Sequence, residues 1–302
     1  MALRRRALLA GALAAPLAAP RVARAAAQRP DGDMVGAPSR LVATDGTTLA
    51  DIALGHGLGY VELVAANPGL DPWLPTPGAE LLLPTAHLLP TAPRAGIVVN
   101  YADQRLYLFR PDGRVQSHPV GIPAEGVAAR LGVARIVARL RDPAWAPTPA
   151  MRARAPDLPS YVPPGPGNPL GSLALALDWP GYLIHGTNRP YGIGRRVSEG
   201  CIRLHEADIA ALAAVAGPGT PVRFVEEEVK LGWSRGTLHL EVHPTLDQAL
   251  DLQESRVPAP EIPPRLAERV ARAAGMRARD VDWDVVARES VARSGVPVPL
   301  LG

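Results

Sequence analysis

Apolar residues recur at helical spacing in the first third of the chain. Residues 48–53 and 60–66 each place apolar side chains on one face, a pattern that predicts two short amphipathic helices. Thr48 is suited to cap the first helix, and Asn67 ends the second because the proline after it disfavours a helical conformation there. With the short apolar runs on either side, this pattern predicts a small α+β module over residues 40–90.

From residue 96 the pattern changes to short apolar runs that are typical of strands. Residues 97–101 and 105–110 flank Ala102-Asp103-Gln104, which predicts a hairpin. Further strands are predicted at residues 115–121, 132–140, 173–177, 182–184 and 221–225. One helix is predicted over residues 206–216. The predicted fold class is therefore mostly β, with an antiparallel, sandwich-like core over residues 95–226 and one packed helix.

Helical spacing returns near the C-terminus. Residues 265–274 and 281–291 combine this spacing with mixed charge. Residues 227–302 are therefore expected to form a partly helical C-terminal extension that serves packing or partner contacts.

The first 25 residues have the organisation of an export signal. Arg4, Arg5 and Arg6 are followed by an apolar stretch that is too short to span a bilayer comfortably. Ala23-Arg24-Ala25 then fits the small-x-small rule of signal peptidase. Residues 1–25 are expected to be a signal peptide; twin-arginine or Sec export and an uncleaved anchor remain open.

The composition excludes two classes of protein. A hydrophobic content of 47% is too high for a disordered chain. Five of the 32 basic residues lie within residues 1–25, which hold no acidic residue, so the remainder carries 27 basic and 29 acidic residues. The net charge of +3 therefore belongs to the export signal and gives no support for nucleic-acid binding.

The chain has a single cysteine, Cys201, so an internal disulfide is impossible. It is either a buried, inert thiol or a reactive one. His185 lies sixteen positions earlier, at the end of a predicted strand. An imidazole beside a cysteine can take the thiol proton and create the nucleophilic thiolate.

The sequence around these two residues carries a family resemblance. Residues 185–188 read His-Gly-Thr-Asn, and residues 198–204 read Ser-Glu-Gly-Cys-Ile-Arg-Leu. Together they resemble the signature of the L,D-transpeptidase (YkuD-type) catalytic domain. The likeness extends from residue 97 to Val242 and includes the Asp142-Pro143-Ala144-Trp145 loop. Residues 40–90 look like the LysM module found in one subgroup of that family, so the resemblance covers nearly the whole exported chain apart from its C-terminal tail.

The resemblance implies a role for each residue of the motif. Cys201 is the nucleophile, and His185 is the general base whose imidazole is oriented by the main-chain carbonyl of Gly186. The main-chain N–H groups of Gly200 and Cys201 form the oxyanion hole, which stabilises the tetrahedral charge.

Four further residues are candidates for substrate binding. Arg203 can bind a carboxylate through two parallel hydrogen bonds, although pairing with Asp208 is an equally open structural alternative. Ser198, Asn188 and Thr187 lie in the same motif, where Ser198 and Asn188 are better suited to stabilising turns.

The resemblance also implies an activity and its partners. Cys201 would attack the third-position diamino acid of a peptidoglycan tetrapeptide stem, release D-Ala and pass the acyl group to an amine. That amine belongs to another stem, which gives a 3→3 cross-link, or to a lysine of an outer-membrane lipoprotein. No cofactor or metal is expected. We expect the LysM-like module to contact the glycan, the enzyme to form a covalent carbapenem adduct, and the protein to lie in the periplasm.

The sequence departs from the family pattern in two places. Many members have a histidine where this chain has Glu199, and a carboxylate there would tend to raise the pKa of the thiol. Where the family has Thr-Pro-x-Gly, residues 129–132 read Ala-Arg-Leu-Gly, so only Gly132 is kept.

These departures leave alternatives open. One is a weakly active or non-catalytic cell-wall binding protein, and another is an L,D-carboxypeptidase that uses water as acceptor. A zinc site built from Cys201, His185, His205 and Asp208 has suitable ligand types but no recognised ligand spacing.

Overall fold

The computed structural model describes residues 26–301, so the predicted signal peptide lies outside the described residues. The N-terminal elements are β1 (Met34–Gly36), β2 (Ser39–Val42), α1 (Leu49–His56), α2 (Tyr60–Ala66), β3 (Glu80–Leu83) and β4 (Ala86–Leu88). Strands β2 and β3 pair antiparallel, and the two predicted helices form between them.

Hydrogen bonds at the helix ends explain why these short helices form. Thr48 caps α1: its hydroxyl accepts from the N–H of Asp51, whose carboxylate accepts from the N–H of Thr48. The side chain of Asn67 ends α2 and bonds to both main-chain groups of Leu82 in β3. Leu49 and Leu63 lie in a separate small core that these elements share.

The central elements run from β5 to β14. They are β5 (Gly96–Asn100), β6 (Arg105–Phe109), β7 (Val115–Pro119), β8 (Ile122–Pro123), β9 (Gly132–Arg141), α3 (Pro149–Arg154), β10 (Leu173–Leu177), β11 (Leu183–His185), β12 (Arg196–Ser198), β13 (Ile202–Arg203), α4 (Glu206–Val215) and β14 (Pro221–Val225). Eight strands form one sheet in the order β13-β11-β10-β9-β14-β5-β6-β7. The mostly-β prediction is confirmed.

The expectation of an antiparallel core was wrong for two of the strand pairs. The eight-stranded sheet is mixed, because β14 pairs parallel with β5, and β11 pairs parallel with β13. A parallel pair needs a long connection rather than a tight turn, and residues 186–201 supply it between β11 and β13. A second helix, α3, also forms in the proline-rich loop, where Thr148 caps it and Pro149 occupies its first turn.

The C-terminal elements combine strands with helices. They are β15 (Val229–Ser234), β16 (Thr237–Val242), α5 (Leu246–Gln253), α6 (Leu266–Ala274), α7 (Trp283–Ala292) and β17 (Val298–Pro299). The strands form a separate sheet in the order β15-β16-β17, which shares a core with α6 and α7. Within residues 26–301, no single helix is long and apolar enough to cross a membrane; α1 and α2 meet that test only as a pair bent by 112°.

A cluster of charged side chains joins the three parts of the chain. The Lys230 ammonium in β15 contacts Asp103 Oδ2 at 2.9 Å and Glu241 Oε1 at 2.6 Å. Nearby, Arg105 of β6 donates to Glu62 of α2 at 2.7 Å. All five side chains are buried, and they are called the buried junction below.

Candidate active site

Strand register brings His185 and Cys201 to the same face of the central sheet. In the parallel pair of β11 and β13, Ile184 lies opposite Ile202, and His185 lies opposite Arg203. Ile184 and Ile202 are both buried in the main core. Because side chains alternate along a strand, His185 and Arg203 share the other face, and so does Cys201 if the alternation continues to the residue before β13. The Sγ of Cys201 lies 3.5 Å from the carbonyl oxygen of Gly181.

The His185 imidazole is held in one orientation. Its Nδ1 lies 2.6 Å from the carbonyl oxygen of Gly186. A carbonyl only accepts, so Nδ1 carries the proton and Nε2 is left as the basic nitrogen. This is the orienting contact that the sequence resemblance implies for Gly186.

The pKa values of His185 and Cys201 are both shifted toward the neutral forms. Burial lowers the pKa of His185 to about 4, helped by the positive charge of Arg203 and opposed by the carbonyl of Gly186. Burial also raises the pKa of the Cys201 thiol, although the main-chain N–H of Leu183 and the charge of Arg203 oppose it. These shifts favour a neutral thiol and a neutral imidazole over a standing ion pair.

The backbone before Cys201 requires glycine. Gly200 has a φ of +117°, which side chains disfavour. Its N–H donates weakly to the Ser198 hydroxyl at 3.3 Å. Ser198 therefore shapes this turn, and the oxyanion role of the Gly200 and Cys201 N–H groups stays a prediction.

Arg203 does not make the structural pairing that the sequence left open. Asp208 instead lies 3.0 Å from His118. In the part of the chain that the structure describes, Arg203 has no ion-pair partner, and its Nε has no hydrogen-bond acceptor. Burial and the neighbouring charge of Arg189 both lower its pKa, which leaves a guanidinium prepared to receive an acidic group.

Thr187 and Asn188 stabilise the turn that follows the base. The Thr187 hydroxyl accepts from the N–H of Arg189 at 3.0 Å. The Asn188 amide donates to the carbonyl of Gly167 at 2.9 Å and so ties this turn to the proline-rich loop. Both contacts are structural.

Sequence reasoning missed Glu206. Its carboxylate accepts from the N–H of Thr187 at 2.8 Å and from the N–H of Ser172 at 3.0 Å. An acidic residue in the first turn of a helix is common, so nothing in the sequence distinguished it from an ordinary helix start.

Glu199, the first departure from the family pattern, forms an ion pair with Arg154 of α3. Both side chains are partly exposed. Glu199 is not among the causes that raise the pKa of Cys201, so the effect expected of this carboxylate on the thiol is not seen.

The second departure, at residues 129–132, is connected to the segment before Cys201 through two aromatic side chains. The Arg130 guanidinium stacks over the Trp179 ring at 4.1 Å, and Trp179 packs edge-on against Tyr182. Tyr182 in turn lies beside Gly200. This segment therefore supports the site through aromatic packing.

A cleft of about 1090 Å³ opens beside Thr187 and Arg203, and neither His185 nor Cys201 belongs to its lining. Three parts of the chain line it: the start of α1, the α3 loop, and the segment between His185 and Arg203. Its polar lining includes Asp51, Asn188, Arg189, Glu199 and Arg203. A cleft of this volume can hold an extended peptide segment.

The four residues considered as zinc ligands do not converge. Asp208 lies against His118, while the Nδ1 of His185 is bonded to a carbonyl. Within residues 26–301, metal-ligand spacing occurs only at Asp103, Glu241 and His243. There the ammonium of Lys230 already occupies the position between the carboxylates.

Known proteins resemble this chain over most of its length. A family model described as the L,D-transpeptidase catalytic domain, YkuD, matches residues 94–224. The chain is 37% identical over 268 residues to the probable L,D-transpeptidase YcfS of Escherichia coli K12, covering 85% of this chain and 82% of that protein. It is 36% identical over 283 residues to the probable L,D-transpeptidase ErfK/SrfK of the same organism, covering 90% and 89%.

A match over 90% of the chain needs more residues than lie up to Val242, so the resemblance to ErfK/SrfK reaches into the C-terminal tail, contrary to expectation. Among solved structures, the catalytic domain of an Enterococcus faecium L,D-transpeptidase aligns with a TM-score of 0.34 at 20% identity. That alignment covers 43% of this chain and 95% of the domain.

Proposed function

The chain belongs to the L,D-transpeptidase family, and we propose that it is an exported peptidoglycan L,D-transpeptidase with Cys201 as its nucleophile. One observation carries the proposal. Cys201 and His185 share one face of the sheet, and His185 Nδ1 is bonded to the Gly186 carbonyl, which leaves Nε2 free to act as a base.

The first half-reaction makes a thioester. As Cys201 Sγ attacks the carbonyl of the third-position diamino acid, its proton moves to Nε2 of His185. The C–N bond to D-Ala then breaks, and His185 returns the proton to the departing amine. The N–H groups of Gly200 and Cys201 would stabilise the oxyanion, which requires Gly200 to give up its weak bond to Ser198.

The second half-reaction transfers the acyl group to an amine. His185 takes a proton from the incoming amine and gives it to the leaving sulfur, which restores the thiol. We propose a second stem peptide as the acceptor, giving a 3→3 cross-link, with a lipoprotein lysine as the other amine of the right chemistry. Exchange of one amide for another needs neither ATP nor a cofactor.

Arg203 would hold a carboxylate of the stem. It lies on the same face as His185, lines the cleft and is without an acidic partner among the described residues. The strand-helix-helix-strand order of β2, α1, α2 and β3 supports a LysM-like module that contacts the glycan, and the sequence of residues 1–25 supports export to the periplasm.

A carbapenem and tetrapeptide-rich sacculi test the proposal together. The purified protein should gain the mass of one carbapenem and should convert tetrapeptide stems into 3→3 dimers, as measured by mass spectrometry. Both should be lost in Cys201→Ala, and the rate of adduct formation should fall at least about 10²-fold in His185→Gln, the usual scale for a general base.

His239→Gln is the matched control, because His239 Nδ1 also lies near a local main-chain carbonyl, that of Thr237. It should react like the wild type. Trimming to tripeptides without dimers would indicate a carboxypeptidase, and a folded wild type that forms no adduct would overturn the proposal in favour of a binding protein.

A further inference from the structure

The Glu206 carboxylate joins two loops that are distant in sequence. Oε1 accepts from the N–H of Thr187 at 2.8 Å. Oε2 accepts from the N–H of Ser172 at 3.0 Å and from its hydroxyl at 2.5 Å. One loop follows β11 and the other precedes β10, and both lie at the same end of this antiparallel pair, where Ala174 is opposite His185.

Two glycines leave the space that this carboxylate fills. A Cβ on Gly186 would lie 2.0 Å from Glu206 Oε1, and a Cβ on Gly171 would lie 1.9 Å from the same atom. Gly171 also has a φ of +68°, which favours glycine. The two loops are therefore shaped around Glu206.

One of these loops carries the main-chain carbonyl that holds the base. The Gly186 carbonyl, one residue before Thr187, accepts from His185 Nδ1. The N–H of Gly186 donates to the carbonyl of Leu173, one residue after Ser172, at 3.0 Å. Glu206 thus joins the turn on which the orientation of His185 depends to the loop before β10, without a hydrogen bond to the ring.

We propose that Glu206 is a positioning residue for the general base, a role that rests on the proposed function. Its carboxylate locks the turn after His185 to the loop before β10, so that Nδ1 stays bonded to the Gly186 carbonyl and Nε2 stays without a proton. Local capping does not explain the contacts, because its oxygens bond to residues 172 and 187 rather than to the first turn of α4.

The contact set requires a carboxylate. Glu206 provides two accepting oxygens for three donors, whereas a glutamine provides one accepting oxygen and an NH₂ group that only donates. In Glu206→Gln, either Thr187 or Ser172 loses its partner and faces another donor. In Glu206→Ala, both loops lose their common anchor.

The first test follows the His185 ring itself. In the wild type, ¹⁵N NMR should find the Nδ1–H tautomer of His185, with its signal assigned by comparison with His185→Gln. Glu206→Ala should give a mixture of tautomers. Asp284→Asn, which removes an exposed acid from the first turn of α7, is the matched control and should leave the His185 signal unchanged.

The second test follows the rate of carbapenem acylation in folded protein. Glu206→Ala should lower it by about 10²-fold, the usual scale for a catalytic group displaced by roughly 1 Å, and Glu206→Gln should fall between Glu206→Ala and the wild type. Asp284→Asn should match the wild type. The fall of the acylation rate at acid pH should also extend over a wider pH range in Glu206→Ala, because the His185 imidazole then occupies more than one environment.

A double-mutant cycle separates positioning from general damage. Gly186→Ala should be severe in the wild type, because its Cβ meets Glu206 Oε1, and much milder when combined with Glu206→Ala. An unchanged tautomer and acylation rate in Glu206→Ala, or strictly additive effects in the cycle, would overturn the inference. A wild type that forms no adduct overturns the proposed function instead, and the NMR experiment still decides the role of Glu206.

Discussion

The buried junction and the active-site face differ in whether a buried cation has an acidic partner. In the junction, the Lys230 ammonium is fully buried and contacts two carboxylates. On the active-site face, Arg203 is largely buried beside Arg189 and has no acidic partner within residues 26–301. The paired charges of the buried junction connect the parts of the fold. The buried Arg203 guanidinium has no acidic partner among the described residues, so an acidic ligand can provide one.

The same contrast holds for protonation. Burial alone would lower the pKa of Lys230, but Glu241 and Asp103 outweigh it and hold the pKa well above its usual range. At the active site, burial dominates, so the pKa of His185 falls to about 4 and that of Cys201 rises. In the junction, Lys230 and Asp103 are held in their charged forms, whereas burial favours the neutral forms of Glu62, His185 and Cys201.

Breaking the junction should have the largest effect on stability. Lys230→Met leaves Asp103 and Glu241 buried without their cation, and loss of one partner of such a pair costs about 3–5 kcal/mol. Denaturant titration should show this loss in the free energy of unfolding.

The control is Arg40→Met, which removes a comparable contact to Glu80 at the surface, where 67% and 57% of the two side chains are exposed. It should cost at most about 1 kcal/mol. Equal losses in the two variants would remove the distinction between the junction and an ordinary ion pair.

Removing the unpaired cation should impair activity but not stability. Arg203→Gln deletes the proposed partner of a substrate carboxylate, and a charged hydrogen bond of about 1.5–3 kcal/mol corresponds to roughly a 10- to 100-fold loss of kcat/KM. The free energy of unfolding should stay level or rise, because a buried charge without a partner is lost.

The pH dependence of acylation in Arg203→Gln tests whether the charge of Arg203 acts on His185. The acylation rate of the wild type should fall as the pH drops through about 4, where His185 becomes protonated. Arg203 lowers this pKa, so the acid limb of the variant should move to higher pH. A stability loss with unchanged kinetics would instead make Arg203 a structural residue.

Local chemistry was predictable from the sequence. The capping of α1 by Thr48, the hairpin of β5 and β6, and the contact of His185 with the Gly186 carbonyl all depend on short segments. Within such segments, propensity and motif carry the structural information.

Contacts between distant segments were not predictable. Lys230 and Asp103 are 127 residues apart, and Glu206 and Ser172 are 34 apart. The parallel pairing of β11 and β13 likewise depends on a long connection rather than on the strands themselves. The sequence around a polar residue in a strand or at a helix start is the same whether its side chain is exposed to solvent or lies in a buried network.

The smallest effect is expected at the rim of the site. Glu199 and Arg154 form a partly exposed pair, with 37% and 56% of their side chains exposed, and such pairs contribute about 0–1 kcal/mol. Because burial rather than Glu199 raises the pKa of Cys201, Glu199→Gln should leave the pH profile of thiol alkylation in place and change acylation by less than about fivefold.

Arg154→Gln is the matched variant, since it removes the same contact while keeping the carboxylate. A fall in the alkylation midpoint of about one pH unit in Glu199→Gln, equivalent to about 1.4 kcal/mol, would contradict this. It would show that the carboxylate in the position of the family's histidine does act on the nucleophile.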